Sequence, residues 1–256
     1  MPRHDLKGRH VVVTGASSGI GASVAAALGR RGAHVGLMAR RESELAEVAK
    51  TVEAAGGRAA YSVTDVTDPE RVAESLALLE AELGPVYGLV ANAGVGEQTR
   101  RAEINLTRDS RTIAVNVMGV IHALAAAQPG MLERKEGFLS AVSSLAGWIA
   151  IPGGNAYGAS KAAVSSYMKA LRSQMVPYGI TVTTVHPGFV ATPMTAVNKN
   201  PMPFMVEVGK AGEIIVRGLE RGHKNVNFPG PMVAIVRLAK FAPEWLIARA
   251  MGIKAR

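Results

Sequence analysis

The sequence has no cysteine, so disulfides and Cys-ligated zinc or iron–sulfur centres are excluded. Aromatic residues make up only 5% of the chain, too few for a platform on which nucleic-acid bases would stack. Acidic residues are in deficit: 20 Asp and Glu face 29 Lys and Arg, a net charge of +9. A charge of that sign attracts polyanions, anionic lipid or a phosphorylated cofactor. The basic residues are spread along the chain, however, and nucleic acid is not an expected partner. None of the six histidines pairs with another at a metal-ligand spacing, so no catalytic metal is expected. Residues 1–8 are polar and the apolar residues from Val11 are soon broken by glycines, so no secretory signal is expected and a reducing cytoplasmic setting is the default. What is plentiful is core material: 48% of the 256 residues are hydrophobic, enough to offset the entropy of ordering the chain. The length suits a single domain over residues 1–256.

Apolar runs of strand length alternate with stretches of helical period. Strands are expected at 10–14, 33–39, 58–63, 86–91, 137–142 and 180–186, with a short last one at 224–228. Helices are expected at 22–31, 42–55, from Asp68-Pro69 to about Leu83, 110–133 and 156–178. This β-α-β-α rhythm, with near-continuous apolar strands, implies an α/β fold: a doubly wound, Rossmann-type, mostly parallel sheet with helices on both faces. Ligands of such a sheet bind at the carboxyl ends of the strands, near the point where the strand order reverses.

Where the first strand meets the first helix stands Thr14-Gly15-Ala16-Ser17-Ser18-Gly19-Ile20-Gly21. Glycines there let the backbone turn tightly and approach a ligand, and the N–H groups of the following helix suit a pyrophosphate. Glycines at 15, 19 and 21 depart from the common G-x-G-x-x-G spacing, so a tight turn with no ligand stays an alternative. Gly15 to Gly19 also fits G-x-S-x-G, the nucleophile elbow of serine hydrolases, with Ser17 as nucleophile. That fold places several strands before its elbow, whereas here the turn follows the first strand.

The second strand ends at Ala39-Arg40-Arg41, with no acidic residue until Glu42. An acidic tip there would accept from a ribose 2′-hydroxyl, whereas a guanidinium grips a 2′-phosphate through two parallel bonds. NADP(H) is therefore expected over NAD(H), with Arg40 and Arg41 as its contacts. Asp65 and Val66, after the third strand, suit the adenine edge.

Tyr157-Gly158-Ala159-Ser160-Lys161 puts a phenol and an ammonium four apart, on one face of a helix. The ammonium is expected to lower the phenol's pKa toward a range useful for proton exchange with an alcohol or carbonyl. Ser144 lies thirteen residues earlier, at the end of an expected strand, so both ends reach the same edge of the sheet. The pair alone is a weak signal; with the serine it is strong.

With these residues the chain resembles the short-chain dehydrogenase/reductase family in its form of about 250 residues, from Lys7 to about Phe228. The glycines at 15, 19 and 21 match its T-G-x-x-x-G-x-G cofactor turn. Asn92-Ala93-Gly94 matches its N-A-G motif, although Ala91 stands where a further Asn is usual. Asn116 falls where the family has a catalytic asparagine, and Pro187-Gly188, Val190 and Thr192 form its P-G-x-x-x-T segment beside the nicotinamide. The resemblance implies that the cofactor carries the hydride and that Tyr157 exchanges a proton with the substrate oxygen. Ser144 would bond that oxygen, Lys161 would bond the nicotinamide ribose, and Asn116 would anchor a water linking Lys161 to solvent. It also implies a homodimer or homotetramer built on the helices at 110–133 and 156–178.

After Pro187, a substrate lid is expected over about 188–210. Its Met194, Met202, Phe204 and Met205 favour a greasy alcohol or ketone over a sugar or acid. The tail from Phe228 has two apolar stretches interrupted by Arg237, Lys240 and Arg249 and divided by Pro243, followed by Lys254 and Arg256. It is too interrupted to span a bilayer, which takes about 20 apolar residues. Two readings stay open: peripheral contact with an anionic membrane surface, or a lid or subunit contact.

Overall fold

The computed structural model describes residues 3–96, 104–150, 152–198 and 201–250, and for 244, 248 and 250 the backbone alone. In chain order the elements begin with β1 (His10–Thr14), α1 (Gly19–Gly29), β2 (His34–Ala39), α2 (Glu42–Ala54), β3 (Arg58–Val63), α3 (Pro69–Leu83) and β4 (Val86–Ala91). They continue with α4 (Leu106–Ile113), α5 (Gly119–Arg134), β5 (Phe138–Val142), α6 (Asn155–Met175), β6 (Thr181–Pro187), α7 (Pro193–Ala196), α8 (Val208–Glu220), β7 (Asn225–Phe228), α9 (Gly230–Ala239) and α10 (Glu244–Ala250).

The consecutive valines of β1 are wholly buried, because β1 is central and both its faces are covered by helices. All neighbouring strands pair in parallel, in the order β3-β2-β1-β4-β5-β6-β7. One face packs on α1, α2 and α8 through Val24, Leu28, Leu45, Val52, Ile215 and Leu219. The other packs on α3, α5 and α6 through Leu76, Leu79, Leu124, Met131, Val164 and Met168. The order reverses at β1 and β4, so the crevice of such a sheet lies between the ends of those two strands.

Local chemistry sets the boundaries. Asp68 caps α3 by accepting the Arg71 N–H at 3.0 Å, with Pro69 in the first turn. The helix expected at 110–133 starts earlier, where Asn105 caps α4 by accepting from the Arg108 N–H at 3.0 Å. It is also interrupted by a π-helical turn, Ala114–Met118, which carries Asn116. The helix α6 stops at Met175, short of the expected 178, as Pro177 enters a 3₁₀ turn. Within the expected lid lie α7, an isolated bridge between Val190 and Val206, and the start of α8. Its residues 199 and 200, and Lys254 and Arg256 of the tail, fall outside the described residues.

Candidate active site

The turn after β1 is built by two kinds of constraint. Gly15 and Gly19 have φ of +64° and +57°, a backbone region costly to side-chain-bearing residues. A Cβ on Gly21 would sit 2.3 Å from the Gly15 carbonyl oxygen and 2.5 Å from Asn92 Nδ2. Helix α1 therefore begins at Gly19, three residues before the apolar stretch that signalled it, and its N-cap Ser18 makes no side-chain capping bond. The first-turn N–H groups beside Ser17, Ser18, Gly19 and Ile20 are thus left to other acceptors. Across the crevice, the Thr14 hydroxyl accepts from the N–H groups of Asn92 and Ala93 at 3.0 and 3.1 Å. Asn92 Nδ2 donates back to the carbonyls of Thr14 and Gly15. The two motif segments are hydrogen-bonded to each other.

The tip of β2 divides its two arginines. Arg41 donates to the hydroxyls of Ser17 and Ser18, both at 2.9 Å, and pairs with Glu44 at 3.1 Å. Arg40 reaches Asp65 at 3.8 Å. Burial pushes the Asp65 carboxyl up, but the Thr67 N–H and hydroxyl, with Arg40 and Arg111, hold it below its ordinary range. A depression of about 350 Å³, lined by Ser17, Ser43, Glu44, Glu47, Val48 and Thr51, opens nearby. Its two carboxylates leave the Ser17 and Arg41 side as the place for an anion. Val66, beside it, is buried and packed against Gly119 of α5.

Ser144, Tyr157 and Lys161 come together at the ends of β5 and α6. Lys161 Nζ lies 5.7 Å from the centre of the Tyr157 ring, donates to the Val142 carbonyl at 2.9 Å, and is almost wholly buried. Ser144 donates to the Pro187 carbonyl at 3.4 Å, a long bond. Burial lowers the Lys161 pKa to about 8. The tyrosine differs from expectation. Burial pushes the phenol above its ordinary range, and the Ser144 hydroxyl only partly offsets this. The physical reason is that desolvation of a buried phenolate outweighs the one hydrogen bond that would stabilise it.

Asn116 is wholly buried in its π turn. Its Oδ1 accepts from the Val95 N–H at 2.8 Å, while Nδ2 donates to the Val95 carbonyl at 2.9 Å and the Ser160 hydroxyl at 3.0 Å. Ser160 in turn donates to the Tyr157 carbonyl at 2.7 Å. Both amide N–H groups of Asn116 are thus committed within the protein rather than open to a water. Instead it grips the Val95 peptide, and so the strip from Gly94 to Gly96. A Cβ on Gly94 would stand 3.4 Å from Lys161 Nζ, and one on Gly96 would stand 3.2 Å from the Tyr157 ring and 3.5 Å from Met194 Sδ. On the far side, the Gly188 N–H donates to Phe228 at 2.7 Å, Val190 is buried, and Thr192 caps α7.

The short chain dehydrogenase model matches residues 9–203. An uncharacterized oxidoreductase of Myxococcus xanthus is 40% identical over 240 residues, covering 94% of this chain and 95% of that protein. The chain belongs to the short-chain dehydrogenase/reductase family. A crystal structure of a short-chain type dehydrogenase/reductase from Mycobacterium marinum matches with a TM-score of 0.81 at 28% identity, covering 93% of this chain and 98% of that one. The glycine betaine reductase ATRR of Emericella nidulans is 44% identical over 192 residues, 75% of this chain but only 15% of that protein. As a short-chain dehydrogenase/reductase the protein is an oxidoreductase, from a family that uses NAD(H) or NADP(H), acts on small molecules and forms oligomers.

The residues fit such a cofactor. The turn leaves no room for a side chain at Gly21, the first turn of α1 lacks a side-chain cap, and a guanidinium stands over Ser17 and Ser18. Sequence reasoning missed Ser160 and the Val95 peptide, since only the fold brings α6, the segment after β4 and the π turn together. It also gave His186 no role, whereas the ring is hydrogen-bonded through both nitrogens.

Proposed function

We propose that the protein is an NADP(H)-dependent oxidoreductase that interconverts a hydrophobic secondary alcohol and its ketone, or reduces an aldehyde. Tyr157 acts as the general acid and base. The observation that carries this reading is the convergence of Ser144, Tyr157 and Lys161 at one edge of the sheet, beside Gly94 and Gly96. The nicotinamide cofactor, when bound, supplies or accepts the hydride. In reduction, Tyr157 gives its proton to the carbonyl oxygen and Ser144 donates a hydrogen bond to that oxygen as charge develops on it. In oxidation, Tyr157 takes the proton back. Burial keeps the phenol protonated at neutral pH, the form that reduction consumes. The reductase name of the Emericella relative leans the same way. Lys161 supplies a cation beside the phenol and a donor to the nicotinamide ribose, and Asn116 holds the Val95 peptide in place.

Gly15, Ser17, Ser18, Gly19, Ile20 and Gly21 hold the pyrophosphate, with Arg40 and Arg41 on the 2′-phosphate. Asp65 and Val66 border the adenine, and Asn92 to Gly94 with Pro187, Gly188, Val190 and Thr192 line the nicotinamide half. Residues 1–256 act as one catalytic unit with a lid at about 188–210. Exposed Met194, Phe204 and Met205 make that lid greasy and favour an apolar substrate. Exposed Ile113 and Met118 on the α4–α5 run and Tyr167 on α6 support a homodimer or homotetramer through those helices. In a cytoplasmic setting the tail contacts either a second subunit or an anionic membrane surface.

The test is an NADPH-oxidation screen with hydrophobic ketones and aldehydes, run in reverse with alcohols. The wild type is expected to turn over members of that set, and Tyr157→Phe to lose about 10²-fold or more in kcat. Its NADPH Kd is expected to stay unchanged. Near-normal turnover by Tyr157→Phe would remove the tyrosine from its role.

A further inference from the structure

His186 is a buried titratable group that the proposed reaction does not use. Its Nδ1 lies 2.9 Å from Asn227 Oδ1 on β7, and its Nε2 lies 3.1 Å from the Ser165 hydroxyl on α6. Ser165 Oγ stands 2.8 Å from the Lys161 carbonyl and 2.8 Å from Ser143 Oγ. Ser143, also buried, donates to the same Lys161 carbonyl at 2.7 Å. With Asn227 Oδ1 accepting, the proton sits on Nδ1 and Nε2 accepts from Ser165. Three protons then meet three acceptors: Asn227 Oδ1, His186 Nε2 and the Lys161 carbonyl.

The members of this chain are neighbours of the chemistry. Ser143 precedes Ser144, and His186 precedes Pro187, whose carbonyl accepts from Ser144. Lys161 contributes both the site ammonium and the anchored carbonyl. Above the imidazole lies the Trp148 ring, with centroids 5.1 Å apart. Trp148 is covered in turn by the Arg237 guanidinium of α9 at 5.9 Å and by Nζ of Lys240, the residue that ends that helix, at 4.9 Å. The inner face of α9 closes the region, packing Val233 and Val236 with Leu145.

We propose that His186 is a positioning residue: through Ser165 and Ser143 it holds the turn of α6 that bears Lys161 in register with Ser144, just after β5, and Pro187 on β6. In the neutral ring the Ser165 proton faces Nε2, whereas a proton on Nε2 would leave that hydroxyl to the Lys161 carbonyl, 2.8 Å away. The environment enforces neutrality. Burial lowers the His186 pKa to about 4; the Asn227 bond raises it, and the charges of Arg172 on α6 and Lys240 at the end of α9 lower it. Arg237 reaches the covering Trp148, not the imidazole.

This inference rests on the oxidoreductase reading for its kinetic test but not for its spectroscopic one. Ser165→Ala severs His186 from α6 at a partly exposed helical position where alanine is a good helix former, so the fold is expected to stand. Its kcat is expected to fall about tenfold or more, with NADPH Kd and substrate KM within twofold of wild type. The basic limb of its pH profile, expected near 8 in the wild type from the burial of Lys161, is expected to move up as Lys161 becomes better solvated. Ser165→Thr restores the hydroxyl and is expected to recover kcat. In cofactor-free protein, ¹⁵N spectra of the imidazole, assigned with His186→Gln, should find the neutral Nδ1–H form persisting below pH 5. Ser165→Ala should change that signal and raise its midpoint. Wild-type kcat and pH limb in Ser165→Ala overturn the proposal. If the wild type reduces no carbonyl, the functional reading fails instead, and an unchanged His186 signal in Ser165→Ala overturns the positioning role by itself.

Discussion

Lys161 concentrates the conflict between stability and chemistry in one side chain. Burial lowers its pKa from 10.5 to about 8, so between those values the folded chain has released a proton that the unfolded chain still holds. Stability therefore rises with pH across that window, and below pH 8 the buried ammonium is a cost on the order of 3 kcal/mol. Lys161→Met is expected to stabilise the cofactor-free protein at pH 7 by about 1–2 kcal/mol, because the orphaned Val142 carbonyl returns roughly 1 kcal/mol of the gain. Denaturant unfolding at pH 7 measures this, and the advantage should shrink toward pH 10. At the other end of the cleft, the proposed NADP(H) preference would rest on two arginines of unequal standing. Arg41 already reaches Ser17 and Ser18, whereas Arg40 faces Asp65. Arg41→Ala is expected to weaken NADPH at least tenfold while leaving NADH within about twofold, with a smaller effect from Arg40→Ala. Equal losses for both cofactors, measured by fluorescence titration, would put the 2′-phosphate elsewhere.

At the level of the element, the β1–α1 turn and the π turn make the site more than the helices that flank them. Gly21→Ala must push a methyl group into the Gly15 carbonyl and the Asn92 amide. It is expected to abolish cofactor binding in calorimetry and to lower the unfolding midpoint, since both partners are held by other bonds and cannot yield. The spacing of the glycines was legible in the sequence; the full reason for the third was not, because beside the Gly15 carbonyl its obstacle is the Asn92 amide, brought in from the segment after β4. The π turn was equally invisible. Asn116 lies in a stretch with ordinary helical periodicity, and only its bonds to Val95 and Ser160, from two other segments, account for its burial.

For the whole molecule, the same kind of segment ends in opposite places. The run Leu106–Arg134 is apolar and long enough to cross a membrane, yet Val120, Leu124 and Met131 pack it against the sheet. The tail α9–α10, shorter and broken by charges, leaves Leu238 74%, Phe241 89% and Trp245 63% exposed. One assay separates its two uses. If the tail meets an anionic membrane, the protein floats with phosphatidylglycerol vesicles at low salt, and Phe241→Ser with Trp245→Ser abolishes flotation without altering thermal stability. If it meets a second subunit, no flotation is seen and the same pair of substitutions shifts the sedimentation coefficient downward.

The order of strands and helices, the glycine turn, and the trio Ser144, Tyr157 and Lys161 were determined by the sequence, because periodicity and short spacings are local properties of a chain. Tertiary structure decided the ionisation and the partners. Only packing dehydrates Tyr157 enough to raise its pKa, commits Asn116 to the Val95 peptide, and sets His186 between Ser165 and Asn227. These outcomes depend on which distant segments exclude water from a side chain, and no nearest-neighbour pattern records that.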